Sequence, residues 1–153
     1  MELRLLTQAD HAAVVRLWHA AKQDAYGFLA TERGRTLDND DLVLRQHILP
    51  RCAIWLAVDG DEPLGFLALA GSYVDRLYVA PAAQRRGVGA ALFAQARVLS
   101  PCGLELHTHQ ENAGARAFYE RQGCVAVSFG VSTPPESAPD VEYHWRPAPG
   151  EGA

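Results

Sequence analysis

The densest run of chemically capable residues is Gln84-Arg85-Arg86-Gly87-Val88-Gly89-Ala90. It falls where a segment rich in β-formers, Tyr73 to Val79, gives way to an apolar helical stretch from about Gly87 to Leu99. Two glycines let the backbone approach a ligand closely. The first N–H groups of a helix have no partners within it, and its dipole is positive at that end, so an anion is favoured there, a diphosphate in particular. Arg85 and Arg86 add positive charge. The run fits neither common nucleotide fingerprint: Leu92 stands where a Rossmann turn needs its third glycine, and the Gly-Lys-Ser/Thr of a P-loop is absent. Taken alone, it describes a solvated basic loop equally well.

Glu105, His107 and His109 alternate along the next strand-like segment and share one face, opposite Leu104 and Leu106. Histidine changes charge near neutral pH, which suits a general base. A solvated polar face explains the same alternation. Two histidines on one strand face do not make a metal site, and no metal is expected. Further on, Ala115, Phe118 and Tyr119 share a face of a helix that Asn112 can cap.

These groups need a scaffold, and the hydrophobic patterning supplies one. Glu2 to Leu6 alternates as a strand, and Thr7 offers an N-cap to a helix over Asp10 to about Ala25 whose apolar set is Val14, Leu17, Trp18, Ala21 and Ala25. A second helix of weaker periodicity runs from Asp38 to Leu49 and stops at Pro50. Cys52 to Val58 and Leu64 to Ala70 bracket Asp59-Gly60 as a hairpin. Strands at Tyr73 to Val79, Leu104 to His109, Val125 to Phe129 and Val141 to Trp145 alternate with the helices near Gly87 to Leu99 and Asn112 to Gln122. The order predicts one α/β (α+β) domain over residues 1–147, a central mixed, mostly antiparallel sheet of about seven strands flanked by about four helices. Residues 148–153 are expected to be a flexible tail.

At the glycine-rich junction the sequence resembles the GNAT (GCN5-related N-acetyltransferase) superfamily. Gln84, Gly87 and Gly89 match its Arg/Gln-x-x-Gly-x-Gly/Ala signature, and Asn112 to Gly123 looks like its Asn-x-x-Ala-x-x-Phe-Tyr-x-x-x-Gly helix, about 30 residues on. The resemblance implies acetyl-CoA as co-substrate and an amine-bearing acceptor. It implies a bulged strand whose Leu77, Tyr78 and Val79 line the pantetheine arm, with Gln84, Arg85, Arg86, Gly87, Val88, Gly89 and Ala90 at the diphosphate. It also places Asn112, Ala115, Phe118 and Tyr119 at the cofactor.

Acyl transfer from a thioester to an amine needs a neutral amine, a stabilised oxyanion and a proton for the thiolate. A phenol titrates near about 10 and a thiol near about 8.5, so Tyr119 is protonated at neutral pH and suits the role of general acid, which the resemblance also assigns it. The base stays open between His107, five residues before Asn112 where some relatives carry a glutamate, and Asp75, since members also recruit carboxylates from that strand. No dedicated base is the third option. By resemblance the acceptor side draws on the first two helices and the late hairpin, here Tyr26, Phe28, Glu32 and the loop 132–139. Glu32 with Asp38, Asp40 and Asp41 reads as an acidic rim for a cationic amine, or the aspartates as an ordinary solvated helix start.

Composition bounds the rest. Hydrophobic residues at 48% and charged residues at 21% describe a globular chain, and a net charge of −4 gives no field for nucleic acid or an anionic membrane. No secretory pattern or long apolar run is present, so a cytoplasmic address is expected. Cys52, Cys102 and Cys124 are read as reduced core thiols. The exposed late hairpin makes a homodimer reasonable. Two further functions on this fold are a non-catalytic acetyl-CoA sensor, against which Tyr119 speaks, and a toxin acetylating aminoacyl-tRNA, against which the acidic charge speaks.

Overall fold

A computed structural model of the 153-residue chain describes residues 1–27 and 29–149. Strand β1 (Glu2–Leu5) leads through a capped turn into helix α1 (His11–Ala25). The Asp10 carboxylate organises that turn, accepting the Thr7 N–H at 2.8 Å and both ends of the Arg4 guanidinium at 2.7 and 2.8 Å. Val14, Leu17, Trp18 and Ala21 are buried, as their spacing predicts. Helix α2 (Leu37–Val43) starts at a reciprocal Thr36 and Asn39 cap and continues as a π-helical turn, Leu44–Ile48. The wider turn explains the weak periodicity read there, because one extra residue per turn displaces apolar side chains from the 3.6-residue rhythm.

The remaining elements are β2 (Ala53–Asp59), β3 (Glu62–Ala70), β4 (Tyr73–Val79), α3 (Val88–Leu99), β5 (Leu104–His109), α4 (Ala113–Arg121), β6 (Val125–Val131) and β7 (Pro139–Trp145). They complete a seven-stranded sheet in the order β1-β2-β3-β4-β5-β7-β6. Every pairing is antiparallel except β4 with β5. The sheet separates two apolar layers. Trp18, Leu44, Ile48, Leu56 and Phe66 pack beneath α1 and α2. Leu67, Val74, Leu92, Phe93, Leu104, Leu106 and Tyr143 pack beneath α3 and α4.

The three cysteines are free, but only Cys124 belongs to the core; Cys52 is half-buried and Cys102 exposed, on the turn after α3. Strand β6 forms an edge, and Val125, Val127, Phe129 and Val131 stand 50–65% exposed along it.

Candidate active site

The site begins as a failure of strand pairing. β4 and β5 share a single rung, Tyr73 opposite Glu105, where the Glu105 N–H reaches the Ser72 carbonyl at 3.0 Å. Just beyond it the register of β4 against β3 jumps from Val74–Leu69 to Arg76–Ala68, which makes Asp75 a bulge. Bulges bend the strand that carries them, and past this one β4 turns from β5. The resulting cleft encloses about 1530 Å³. The Ala80 N–H donates to the Leu64 carbonyl at 2.8 Å, and strand alternation therefore turns the backbone groups of Leu77 and Val79 towards the opened side. The side chain of Gln84 donates to the Val79 carbonyl at 3.5 Å.

Helix α3 points its N-terminus into this cleft. Its N-cap, Gly87, has φ +79°, and Arg85 also sits left-handed at φ +62°. A Cβ on Gly87 would meet nothing within 4 Å, so glycine serves the backbone turn there, not a packing contact. Gln84, Arg85, Gly87, Val88, Gly89 and Ala90 line the cleft. Two expectations change. Arg86 is exposed on the loop before α3 and does not line the cleft, as consecutive side chains on a turn diverge. A Cβ on Gly89 would meet the Phe118 ring at 3.1 Å, so this glycine makes room for α4 as well as for a ligand. Free N–H groups, a positive helix end and an open backbone turn fit a diphosphate.

Helix α4 forms the facing wall. The Asn112 side chain caps it, accepting the Ala115 N–H at 3.0 Å. Phe118 wedges between Gly89 and Phe93, and Tyr119 packs against Phe93 and Tyr143 while its side chain lines the cleft. Burial raises the Tyr119 hydroxyl well above the ordinary phenol value of 10.0, with Tyr26, Cys124 and Tyr73 adding to the effect. The phenol therefore keeps its proton throughout the neutral range. Desolvation would raise a thiol brought against it in the same direction.

Polar side chains occupy the other end. His107 is 43% exposed, its Nδ1 is 2.9 Å from the Tyr73 hydroxyl, and its Nε2 is 3.5 Å from Glu142. His109 packs edge-on against Tyr26 with ring centres 4.9 Å apart. The Asp75 carboxylate is 6% exposed and lies between Arg76 at 3.2 Å and Arg51 at 3.4 Å. Glu32 is buried beside Lys22, whose ammonium bonds Asp40 at 2.7 Å.

The acidic rim read from composition is largely neutralised. Asp40 is fully buried and also accepts from His19 at 2.7 Å and Arg35 at 3.0 Å, and these bonds outweigh the effect of burial to hold its pKa below the usual carboxylate value. Asp41 is paired with His11 and Arg45. No group of three potential metal ligands occurs among the described residues.

The structure thus brings Leu77, Tyr78, Val79, Asn112, Ala115, Phe118, Tyr119, Asp75, His107, Tyr26 and Glu32 to one cleft. Phe28 lies outside the described residues. Sequence reasoning missed Tyr73, which the parallel rung places beside His107, and Lys22, which reads in the sequence as one polar residue of an amphipathic helix.

A narrow cleft with an anion-binding helix end, strand backbone groups along its length and a protonated phenol at its wall defines a thioester-dependent acyltransferase. The Acetyltransferase (GNAT) domain family matches residues 50–123. Peptidyl-lysine N-acetyltransferase YjaB of Salmonella typhimurium strain LT2 is 31% identical over 80% of this chain and 82% of its own length, and YjaB of Escherichia coli K12 is 32% identical over 80% and 81%. The solution structure of apo-form YjaB from Escherichia coli superimposes with a TM-score of 0.80 at 26% identity, covering 96% of this chain and 98% of that one. The chain belongs to the GNAT family. It is an acyl-CoA-dependent acetyltransferase, with acetyl-CoA as the co-substrate that membership implies.

Proposed function

We propose that the chain acetylates the Nε amine of a lysine side chain in a protein or peptide, by direct attack within a ternary complex. The observation that carries this reading is the division of charge along one continuous cleft. Arg85 and Arg121 lie beside α3 and α4, whereas Asp24, Glu136 and Asp140 lie towards the end of α1 and the β6–β7 hairpin, where the lining cations Lys22, Arg35 and Arg76 are each paired with a carboxylate. An anionic cofactor and a cationic amine would be drawn to different ends. The peptidyl-lysine activity named for the YjaB relatives supports the same acceptor class.

Acetyl-CoA, when bound, supplies the activated acetyl thioester. The Val79 N–H, turned towards the cleft, would receive the charge developing on the carbonyl oxygen. Tyr119 donates a proton to the departing sulfur. His107 is favoured over Asp75 as the terminal base, because the Asp75 carboxylate is already bracketed by two guanidinium groups. Direct transfer is favoured because none of the three thiols lines the cleft, and burial pushes Cys124 up to about 11. The same reading places the enzyme in the cytoplasm and allows a homodimer through the exposed β6 edge, which size-exclusion chromatography tests.

The deciding experiment is acetyl-CoA-dependent thiol release with lysine peptides, free amino acids, polyamines, aminoglycosides and peptides bearing only a free N-terminus. Release with lysine peptides, and Nε-acetyl-lysine located by mass spectrometry, is the expected result. Turnover confined to another amine class would replace the acceptor while leaving the acetyltransferase in place.

A further inference from the structure

We infer that Tyr73, rather than His107 itself, meets the acceptor amine and relays its proton to His107, while Glu142 holds the imidazole in the tautomer able to receive it. This rests on the acyl-acceptor reading above and adds two residues to it. Tyr73 occupies the last paired rung between β4 and β5, so its side chain stands at the point where the cleft opens. Its hydroxyl is 2.9 Å from His107 Nδ1. Glu142 lies directly across the β5–β7 ladder from His107, with its carboxylate 3.5 Å from Nε2.

A carboxylate facing Nε2 favours the proton on that nitrogen. Nδ1 is then a lone pair, and the contact with Tyr73 can only be a hydrogen bond donated by the phenol. That leaves the lone pairs of the phenol oxygen to face the cleft. Burial, and secondarily Asp75, raise the Tyr73 hydroxyl above its ordinary value, so it works as a neutral relay and never as a standing phenolate.

Protons balance as follows. The acceptor ammonium breaks one N–H bond to the Tyr73 oxygen as the Tyr73 O–H proton passes to Nδ1, leaving a neutral amine, a neutral phenol and an imidazolium beside Glu142. The exposed ring then loses that proton to solvent. The second nitrogen proton, released once the C–N bond has formed, balances the one Tyr119 gives to sulfur. Glu142 is a positioning residue, since it acts only through the ring.

Other groups near His107 are Glu105 and His109 on its own strand face and His144, which bonds Glu142. Glu105 is held by Ser72 and Arg146, so Glu142 is the carboxylate on the ring.

Two measurements on the intact protein test the relay. Long-range proton–nitrogen NMR of the His107 ring needs no acceptor, so it stands even if lysine peptides prove not to be substrates; the expected form is Nε2–H, and a neutral ring protonated on Nδ1 overturns the proposal. With whichever amine the wild type acetylates, Tyr73→Phe should lower kcat/KM about 100-fold with acetyl-CoA affinity unchanged by calorimetry. In Glu142→Gln, which takes the carboxylate from beside Nε2, the neutral His107 ring should lose its preference for the Nε2–H form in the same spectrum. Wild-type kcat/KM in Tyr73→Phe, or an unchanged tautomer balance in Glu142→Gln, overturns it equally.

Discussion

At the cofactor end the groups facing the cleft are mostly main chain: the edges of Leu77 and Val79, the first turn of α3 and the left-handed turn at Arg85 and Gly87. At the acceptor end they are side chains held by other side chains. Lys22 is fixed by Asp40, Asp40 by His19 and Arg35, Asp75 by Arg51 and Arg76, and His107 by Tyr73 and Glu142. Main-chain groups present the same donors whatever side chains surround them, which suits a ligand shared by a whole family. Side-chain networks are assembled from α1, α2, β4, β5 and β7, and one substitution alters the surface that an acceptor meets. On the proposed reading, binding of the common substrate and choice of the variable one are separable.

That separation can be broken or sharpened by substitution. The largest effect is expected from Tyr119→Phe, which removes the proposed proton donor and leaves both ends in place: kcat should fall about 10² to 10⁴-fold with acetyl-CoA affinity unchanged. Wild-type kcat would remove Tyr119 from the chemistry.

Asp40→Ala strikes the acceptor end alone. It leaves Lys22 buried beside Glu32 only, and breaking a buried pair costs about 3–5 kcal/mol, read as a lower denaturant midpoint. The folded fraction should still bind acetyl-CoA, and loss of that binding would show the two ends to be coupled.

Gly87→Ala is the counterpart at the cofactor end. A Cβ finds open space there but must adopt φ +79°, at a cost of about 1–2 kcal/mol. Weaker acetyl-CoA binding with an unchanged acceptor KM is expected.

The smallest effect lies outside both ends. Hydrogen bonds from Arg4, helped by the Thr7 N–H and hydroxyl, hold the Asp10 carboxyl well below its ordinary value of 3.8. A depressed folded pKa contributes stability that is present above the unfolded value and lost as pH falls. Thermal melts of Asp10→Asn should thus lie below wild type at pH 7, with the gap narrowing only as pH falls beneath 3.8 towards the depressed folded value. Parallel curves would mean that the ion pair is not what Asp10 contributes.

The cofactor end was largely legible in the sequence because its determinants are local. Gln84, Gly87 and Gly89 stand within six residues, Asn112 and Tyr119 within eight, and helical spacing is enough to place each group on its wall. Even there, the double duty of Gly89 depended on Phe118 arriving from another helix. The acceptor end resisted. Tyr73 and His107 meet only because β4 and β5 pair in parallel by one rung, and no spacing within a single segment encodes a partner 34 residues away. The aspartates of α2 look in sequence like a solvated acidic start. Asp40 is buried because α1 supplies Lys22 and His19 at the right height, which composition does not reveal. The π-turn after α2 was invisible for a related reason, since it obscured the period that helix reading relies on.

Lys22 is the single lysine among the chain's 153 residues; its thirteen other lysine-or-arginine positions are all arginine. It lines its own cleft, but at 5% exposure its ammonium is held in ion pairs with Asp40 and Glu32 and is not presented to a neighbouring molecule. On the proposed lysine reading, the enzyme would offer no exposed lysine of its own as a target. Guanidinium groups stay charged and do not accept acetyl at neutral pH, so the protein's surface charge would be untouched by the proposed lysine acetylation. Repeated turnover would leave its own mass unchanged, apart from the terminal α-amine.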